Sequence, residues 1–384
     1  MRVVIAPDKF KGSVEAPQVA EAIADGLAAA LPTAEVHCQP VADGGEGTVA
    51  AALAGGYRAV TVTVTGPVGD PVEATFAVDG TRAVIEMAAA SGLLVLPIDD
   101  AGEPVKDALG ATSQGTGELI AAALDHGCTE IVLGVGGSAN TDGGAGLLVG
   151  LGARLLDDAG DPVAAGGGGL ARLASVDVTG LDPRIAGASF TLAADVTNPL
   201  LGPHGAAAVF GPQKGATDAD VATLDANLEL FRDRLADALG PAAAKAADAP
   251  GAGAAGGVGY AALAVLDAER RPGVDVVLEL VGLADRLTGV DLVITGEGSL
   301  DGQSLGGKTP VGVAALARAH GVPTVIGVCG RSLLTEDETR KAGFDEVIAL
   351  LDRQPDSARA MAEAAALLTE IGGELGRRYA SIAT

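Results

Sequence analysis

Val60-Thr61-Val62-Thr63-Val64-Thr65 alternates apolar and polar residues with a period of two, the signature of a half-buried strand. The turn-forming run Gly66-Pro67-Val68-Gly69-Asp70-Pro71 follows, and a second strand is expected over residues 72–78. Asp79-Gly80 then signals a hairpin into a third strand over 82–87. Strands joined by turns this short run antiparallel. This block interrupts a different pattern on either side of it. Upstream, an apolar strand over 2–6 and a polar loop over 7–13 lead into a helix. Pro17 suits its first turn, and Val19, Ile23 and Leu27 recur every four residues. A strand over 36–41 completes a β-α-β unit, which points to a parallel sheet with helices on its faces. Downstream the alternation returns, with strands over 291–295, 323–329 and 346–350 and helices over 310–320 and 355–377. Further strands are expected at 130–135 and 189–194. The expected fold class is therefore α/β with two domains. Residues 1–58 plus 288–384 form a parallel sheet built from both chain ends, and residues 59–287 form an inserted α/β domain with a mixed sheet.

The 384 residues are 48% hydrophobic, enough for two or three cores. Twenty-five basic residues against 50 acidic ones give a net charge of −25, which argues against a nucleic-acid partner and against an anionic membrane surface. The 57 glycines and 19 prolines exceed ordinary usage. The glycines lie among Val, Ile, Leu and Ala rather than in polar tracts, so they read as loops of a folded protein. Aromatic residues make up only 2%, which leaves an aliphatic core. Cys38, Cys128 and Cys329 are odd in number and scattered, arguing against a disulfide framework or zinc site and for a reducing cytoplasm. The four histidines show no metal-ligand spacing. The apolar N-terminal run breaks at Pro7-Asp8, too early for a signal sequence. Residues 249–266 carry no charge, but their Gly/Ala-rich first half reads as a loop entering a helix rather than a membrane span.

Five loops at expected strand C-termini combine glycine with polar residues, where open α/β sheets bind ligands. In Pro7-Asp8-Lys9-Phe10-Lys11-Gly12-Ser13, two lysines beside an aspartate could hold phosphate or carboxylate oxygens, or simply form a solvated turn. Asp43 and Glu46 in Asp43-Gly44-Gly45-Glu46-Gly47 could orient Mg²⁺, the alternative being a glycine turn. The run from Gly134 through Gly136, Gly137, Ser138, Asp142 and Gly143 to Gly144 stands between a strand and an apolar helix around 147–156. Its N–H groups could cradle an anion. Gly134-x-Gly136-x-x-Ala139 loosely matches a dinucleotide fingerprint, a weak match in a chain this rich in glycine. Asp195 in Ala194-Asp195-Val196-Thr197-Asn198 could act as a base or cap the strand, and Lys214 sits in a further glycine turn. Residues 296–310 carry Glu297, Asp301 and Lys308. Residues 302–309 satisfy a Walker A expression, but neither the preceding spacing nor Pro310 suits a P-loop. Thr309 and Pro310 instead suit an N-cap and first helical position, leaving Lys308 near a helix N-terminus. Thr112-Ser113-Gln114-Gly115-Thr116-Gly117-Glu118 precedes a helix and could bind a small carboxylate or only cap the helix.

Taken in order, these stretches resemble the bacterial glycerate kinase family, the type distinct from MOFRL-containing glycerate kinases. The resemblance runs from Ala6-Pro7-Asp8-Lys9-Phe10-Lys11-Gly12-Ser13 to Val325-Ile326-Gly327-Val328-Cys329-Gly330. It takes in Asp43-Gly44-Gly45-Glu46-Gly47-Thr48, the 112–118 run, Asp195-Val196-Thr197-Asn198-Pro199, Gly211-Pro212-Gln213-Lys214-Gly215 and Thr295-Gly296-Glu297-Gly298 with Asp301, Gln303-Ser304 and Gly307-Lys308. The family loop reads Ser-Ala-Thr-Asn-Asp, whereas Ser138-Ala139-Asn140-Thr141-Asp142 swaps its middle pair. The resemblance implies ATP-dependent phosphorylation of D-glycerate, to 2-phosphoglycerate in preference to 3-phosphoglycerate. It also implies that one domain is Rossmann- or flavodoxin-like, with the active site in the cleft between the domains. On that basis Lys9, Lys11 and Lys308 neutralise phosphate and substrate charge, and Asp43, Glu46, Glu297 or Asp301 hold Mg²⁺ with ATP. Asp195, or failing it Asp8, accepts the hydroxyl proton. Gly136, Gly137, Ser138, Asp142, Gly143 and Lys214 contact nucleotide, and Ser113, Thr116 and Asn198 contact substrate. The rival readings are an NAD-dependent hydroxy-acid dehydrogenase and a non-catalytic nucleotide or metabolite sensor.

Overall fold

The computed structural model describes residues 1–302, 304–306 and 308–380. In chain order its strands are β1 (Arg2–Ile5), β2 (Glu35–Cys38), β3 (Arg58–Thr65), β4 (Pro71–Asp79), β5 (Arg82–Glu86) and β6 (Glu130–Gly134). They continue with β7 (Arg154–Leu156), β8 (Ser175–Asp177), β9 (Ser189–Ala193), β10 (Glu269–Arg271), β11 (Leu292–Leu300), β12 (Thr324–Ser332) and β13 (Glu346–Ala349). Two compact units result. Met1–Asp43, Ala50–Gly56 and the chain from Val274 onward form the first; Gly44–Val49 and Tyr57–Gly273 form the second.

The first unit is a five-stranded sheet in the order β13-β12-β11-β1-β2, parallel throughout. Counting only this unit's strands, the order is 2-1-3-4-5, the flavodoxin-like arrangement, with its switch point between β1 and β11. A strand covered on both faces must be apolar throughout. Val3 and Ile5 accordingly pack with the helices Ala16–Ala30 and Ala364–Ala380, while Val4 and Ala6 join Val293, Val313 and Val325 on the other face. Those two helices lie very close. A Cβ on Gly26 would stand 1.9 Å from the Thr369 carbonyl oxygen, so only glycine permits the crossing.

Two sequence expectations are corrected here. The strand expected to end at residue 295 continues to Leu300, paired with β12 through Gly296↔Val328 and Ser299↔Arg331. Gly296 is not a loop glycine: a Cβ there would meet the Val328 carbonyl oxygen at 1.7 Å, so the residue permits close backbone approach inside the sheet. The apolar helix expected around 147–156 spans only Ala145–Gly150. Gly152, at φ 102°, ends it in a Schellman turn: its N–H donates to Val149 and the Ala153 N–H to Leu148, and the chain leaves as β7.

The second unit holds a six-stranded mixed sheet in the order β10-β9-β6-β5-β4-β3. β3, β4 and β5 form the expected antiparallel meander, while β5, β6, β9 and β10 run parallel. The short β7–β8 ribbon lies apart from it. Its core is aliphatic apart from Phe76, Phe190, Phe231 and Tyr260. Residues 254–265 form a short 3-10 turn and then the helix Val258–Val265. Among the described residues, no helix is long and apolar enough to cross a membrane.

Candidate active site

The polar loops of the first unit meet at the C-terminal ends of its strands, around a cavity of about 670 Å³. Asp8, Lys9 and Lys11 reach it from the loop after β1, Asp43 from the segment beyond β2, Glu297 from β11 itself, and Asp301 and Lys308 from the turn beyond β11. Seven of the sequence-selected residues thus line one cavity at the switch point. Asp8 is buried there. Its Oδ1 accepts the Lys9 N–H at 2.7 Å and its Oδ2 accepts the Thr309 hydroxyl at 2.7 Å. Burial, reinforced by the charge of Asp43, pushes the Asp8 carboxyl up to about 7. Glu297 accepts the Ser304 hydroxyl at 2.6 Å and is likewise raised, chiefly by burial and then by Asp43 and Asp301, against the pull of Ser304 and Lys308.

Thr309 differs from expectation. Lys308 holds the N-cap position and Thr309 is the first helical residue, its hydroxyl spent on Asp8 rather than on its own helix. Gln303 and Gly307, part of the same motif, lie outside the described residues.

Among the described residues no three His, Cys, Asp or Glu side chains converge on a metal position. Asp43 and Asp301, close enough to help raise the proton affinity of buried neighbours, form with Glu297 a hard-oxygen donor set. It suits Mg²⁺, which takes one or two carboxylates and completes its shell with phosphates and water.

The second unit gathers its own strand-end loops at β5, β6 and β9. Gly134 and Gly136 lack side chains because the 44–46 loop lies on them: a Cβ on Gly134 would stand 2.4 Å from the Gly44 oxygen, and one on Gly136 2.8 Å from the Gly45 Cα. Glu46 sits half-buried in that loop. Glu86, at the end of β5, accepts the N–H groups of Gly47 and Val49 at 3.0 and 2.6 Å and so fixes the start of the helix Thr48–Ala54. Nothing but its place at the end of an apolar strand marks Glu86 in the sequence. Asp195 is exposed beyond β9, its Oδ1 accepting the Gly273 N–H at 2.8 Å. Asn198 donates its amide to the His204 carbonyl at 2.8 Å.

Several residues read from the sequence as ligand contacts are engaged in hydrogen bonds within the second unit. Asp142 is fully buried. It accepts from Ser113 N and Oγ, each at 2.8 Å, Asn140 Nδ2 at 2.8 Å, and the N–H groups of Gly144 and Gly146 at 3.1 and 3.2 Å. Ser113 Oγ also accepts the Leu147 N–H, and buried Thr116 donates its hydroxyl to Ser91. The Gly143 N–H goes to the Gly256 oxygen. Lys214 is buried, with its ammonium 2.5 Å from the Asn140 carbonyl oxygen, and burial pushes it down to about 7. The swapped pair divides its work accordingly: Asn140 ties Asp142 to the Ala255 carbonyl, and the Thr141 side chain is buried beside it. Gly136 and Gly137 remain accessible, while Ser138 is buried and bridged to Gly92.

Lysines and carboxylates collected at a flavodoxin-like switch point define an α/β protein equipped to handle anionic, phosphate-bearing ligands. Comparison with known proteins narrows this. The model of the glycerate kinase family matches residues 3–380. The chain is 47% identical to a glycerate kinase of Bacillus subtilis over 91% of its own length and 90% of that protein. It is 46% identical to a glycerate 2-kinase of Escherichia coli over 91% of each. A solved structure of a putative glycerate kinase 2 from Salmonella typhimurium superposes with a TM-score of 0.84 at 42% identity, covering 99% of this chain and 98% of that one. The chain belongs to the glycerate kinase family and is a phosphotransferase with an alcohol acceptor.

Proposed function

We propose that the chain transfers the γ-phosphoryl group of ATP to the 2-hydroxyl of D-glycerate, giving ADP and 2-phosphoglycerate. The observation that carries this reading is the single cavity in which Asp8, Lys9, Lys11, Asp43, Glu297, Asp301 and Lys308 meet. Phosphoryl transfer asks a protein for positioning and charge neutralisation more than for covalent chemistry. Lys9, Lys11 and Lys308 neutralise phosphate oxygens and the glycerate carboxylate. Asp43, Glu46, Glu297 or Asp301 are the groups that would hold Mg²⁺, which when bound neutralises charge on the β- and γ-phosphates. Gly136 and Gly137 offer backbone donors to an anion, and Asn198 contacts the substrate from beside Asp195. The glycerate hydroxyl oxygen forms the new P–O bond, the bond to the β-phosphate oxygen breaks, and the hydroxyl proton passes to Asp195. Asp195 ranks ahead of Asp8 because it is exposed, whereas Asp8 is buried.

A coupled ADP-release assay with D-glycerate, followed by phosphorus NMR of the product, tests this. ADP formation with a 2-phosphate product is expected. A 3-phosphate product overturns the regiochemistry. Hydride transfer to NAD without ATP would instead support a dehydrogenase.

A further inference from the structure

The 670 Å³ cavity is far larger than a three-carbon acid requires and falls within the range of a cofactor pocket. Its lining changes character along the sheet. At β1 and β11 it carries the lysines and carboxylates described above. Toward β12 and β13 it is walled by Phe10, Leu350, Leu351, Ala360 and Met361, with Arg331 at the end of β12 between the two regions. The apolar wall is continuous with the first unit's core. Phe10, Leu350 and Ala360 belong to one buried cluster, against which Leu351 packs. The loop after β1 is tied to the helix Ser357–Ala362 by the Ser13 hydroxyl, which donates to the Met361 carbonyl at 2.6 Å. Met361 itself is 44% exposed, an apolar side chain left bare beside this wall. From β1 to β13 is three strand spacings of about 4.8 Å each, so the charged and apolar ends stand apart by a distance that suits an extended nucleoside triphosphate.

We propose that this apolar end is the base subsite for the nucleotide, with the purine ring resting on Leu350, Leu351 and Met361 and its phosphates running past Arg331 toward Lys9 and Lys308. The proposal rests on the kinase reading and specifies where its cosubstrate lies. A large aromatic ring gains from apolar burial and from contact with a methionine sulfur, and a guanidinium beside it serves ribose or the first phosphate. The apolar and sulfur contacts are not available to a bare polyphosphate.

Equilibrium binding of ADP and of inorganic pyrophosphate to the full chain, by calorimetry, tests the subsite. On the unsubstituted chain ADP is expected to bind more tightly than pyrophosphate by about tenfold or more. Met361→Asp should cost ADP about tenfold or more and leave pyrophosphate unchanged, while Met361→Leu restores ADP binding. In turnover, Met361→Asp should raise KM for ATP and leave kcat and KM for glycerate near their original values. Equal affinity for ADP and pyrophosphate, or undiminished ADP binding by Met361→Asp, overturns the base subsite while leaving the kinase reading intact. Failure of the unsubstituted chain to release ADP with D-glycerate removes both.

Discussion

Thr309 donates its hydroxyl to the Asp8 carboxylate at 2.7 Å, joining two residues 301 positions apart in the chain. The bond ties the loop after β1 to the first turn of the helix Thr309–Ala319. It also opposes the burial that raises Asp8. Thr309→Val removes the donor and keeps the shape. It should destabilise the chain at pH 8 by about 1–3 kcal/mol, the penalty for a buried acceptor left unpaired, and Thr309→Ser should recover most of it. Chemical denaturation of the three chains measures the difference.

Asp195→Asn should lower kcat by roughly 10²–10⁴ while ADP binding persists, as expected when a general base is removed and the nucleotide site is untouched. Near-normal turnover would transfer the role to Asp8. Parallel turnover and calorimetry on Asp195→Asn and Asp8→Asn decide between them.

Asp142 collects donors from Ser113, Asn140, Gly144 and Gly146 in a buried position. Asp142→Ala strands all of them and should cost at least about 3 kcal/mol. Asp142→Asn replaces one acceptor oxygen with a donor facing donors and should also destabilise. Urea melts report both. An unchanged midpoint would mean that the loop is not organised by this carboxylate.

Lys214 sets a pH dependence. Its ammonium is pushed down to about 7 in the folded chain from an ordinary 10.5. Between those values the unfolded chain binds more protons than the folded one, so this residue makes stability rise with pH across that window. Below about pH 7 the lysine is charged in both states and its burial penalty is fully present. The rise should amount to a few kcal/mol on the order of 1.4 per unit. Lys214→Met should remove that slope, whatever it does to stability at any single pH. Denaturation midpoints at pH 6.5, 8 and 9.5 read the slope directly, each interval spanning about 1.5 units.

Much of this was legible in local pattern. The alternation at 60–65 became β3, the Asp79-Gly80 turn joined β4 to β5, and the Pro17 helix buried Val19, Ile23 and Leu27. Period and turn chemistry are properties of neighbouring residues, so a sequence displays them. Glycine was harder to read. At 296 it looked like a loop signal and proved to be a strand residue crowded by Val328. At 152 it ended a helix whose apolar run suggested continuation. A missing side chain serves a turn and a close approach equally well, and the nearby backbone that distinguishes them comes from elsewhere in the chain.

The sequence by itself determined the class of the chain: α/β, acidic, aliphatic in its core, with its chemistry in glycine-rich strand-end loops and a family resemblance carried by their order. Only the tertiary structure separated the polar residues that line a cavity from those that hold their own loops together. Asp8 and Asp142 look alike as aspartates in polar loops, yet one lines the switch-point cavity and the other is enclosed by its own loop. Burial and hydrogen-bond partners decide that difference, and each residue has a partner distant in sequence, Thr309 for Asp8 and Ser113 for Asp142.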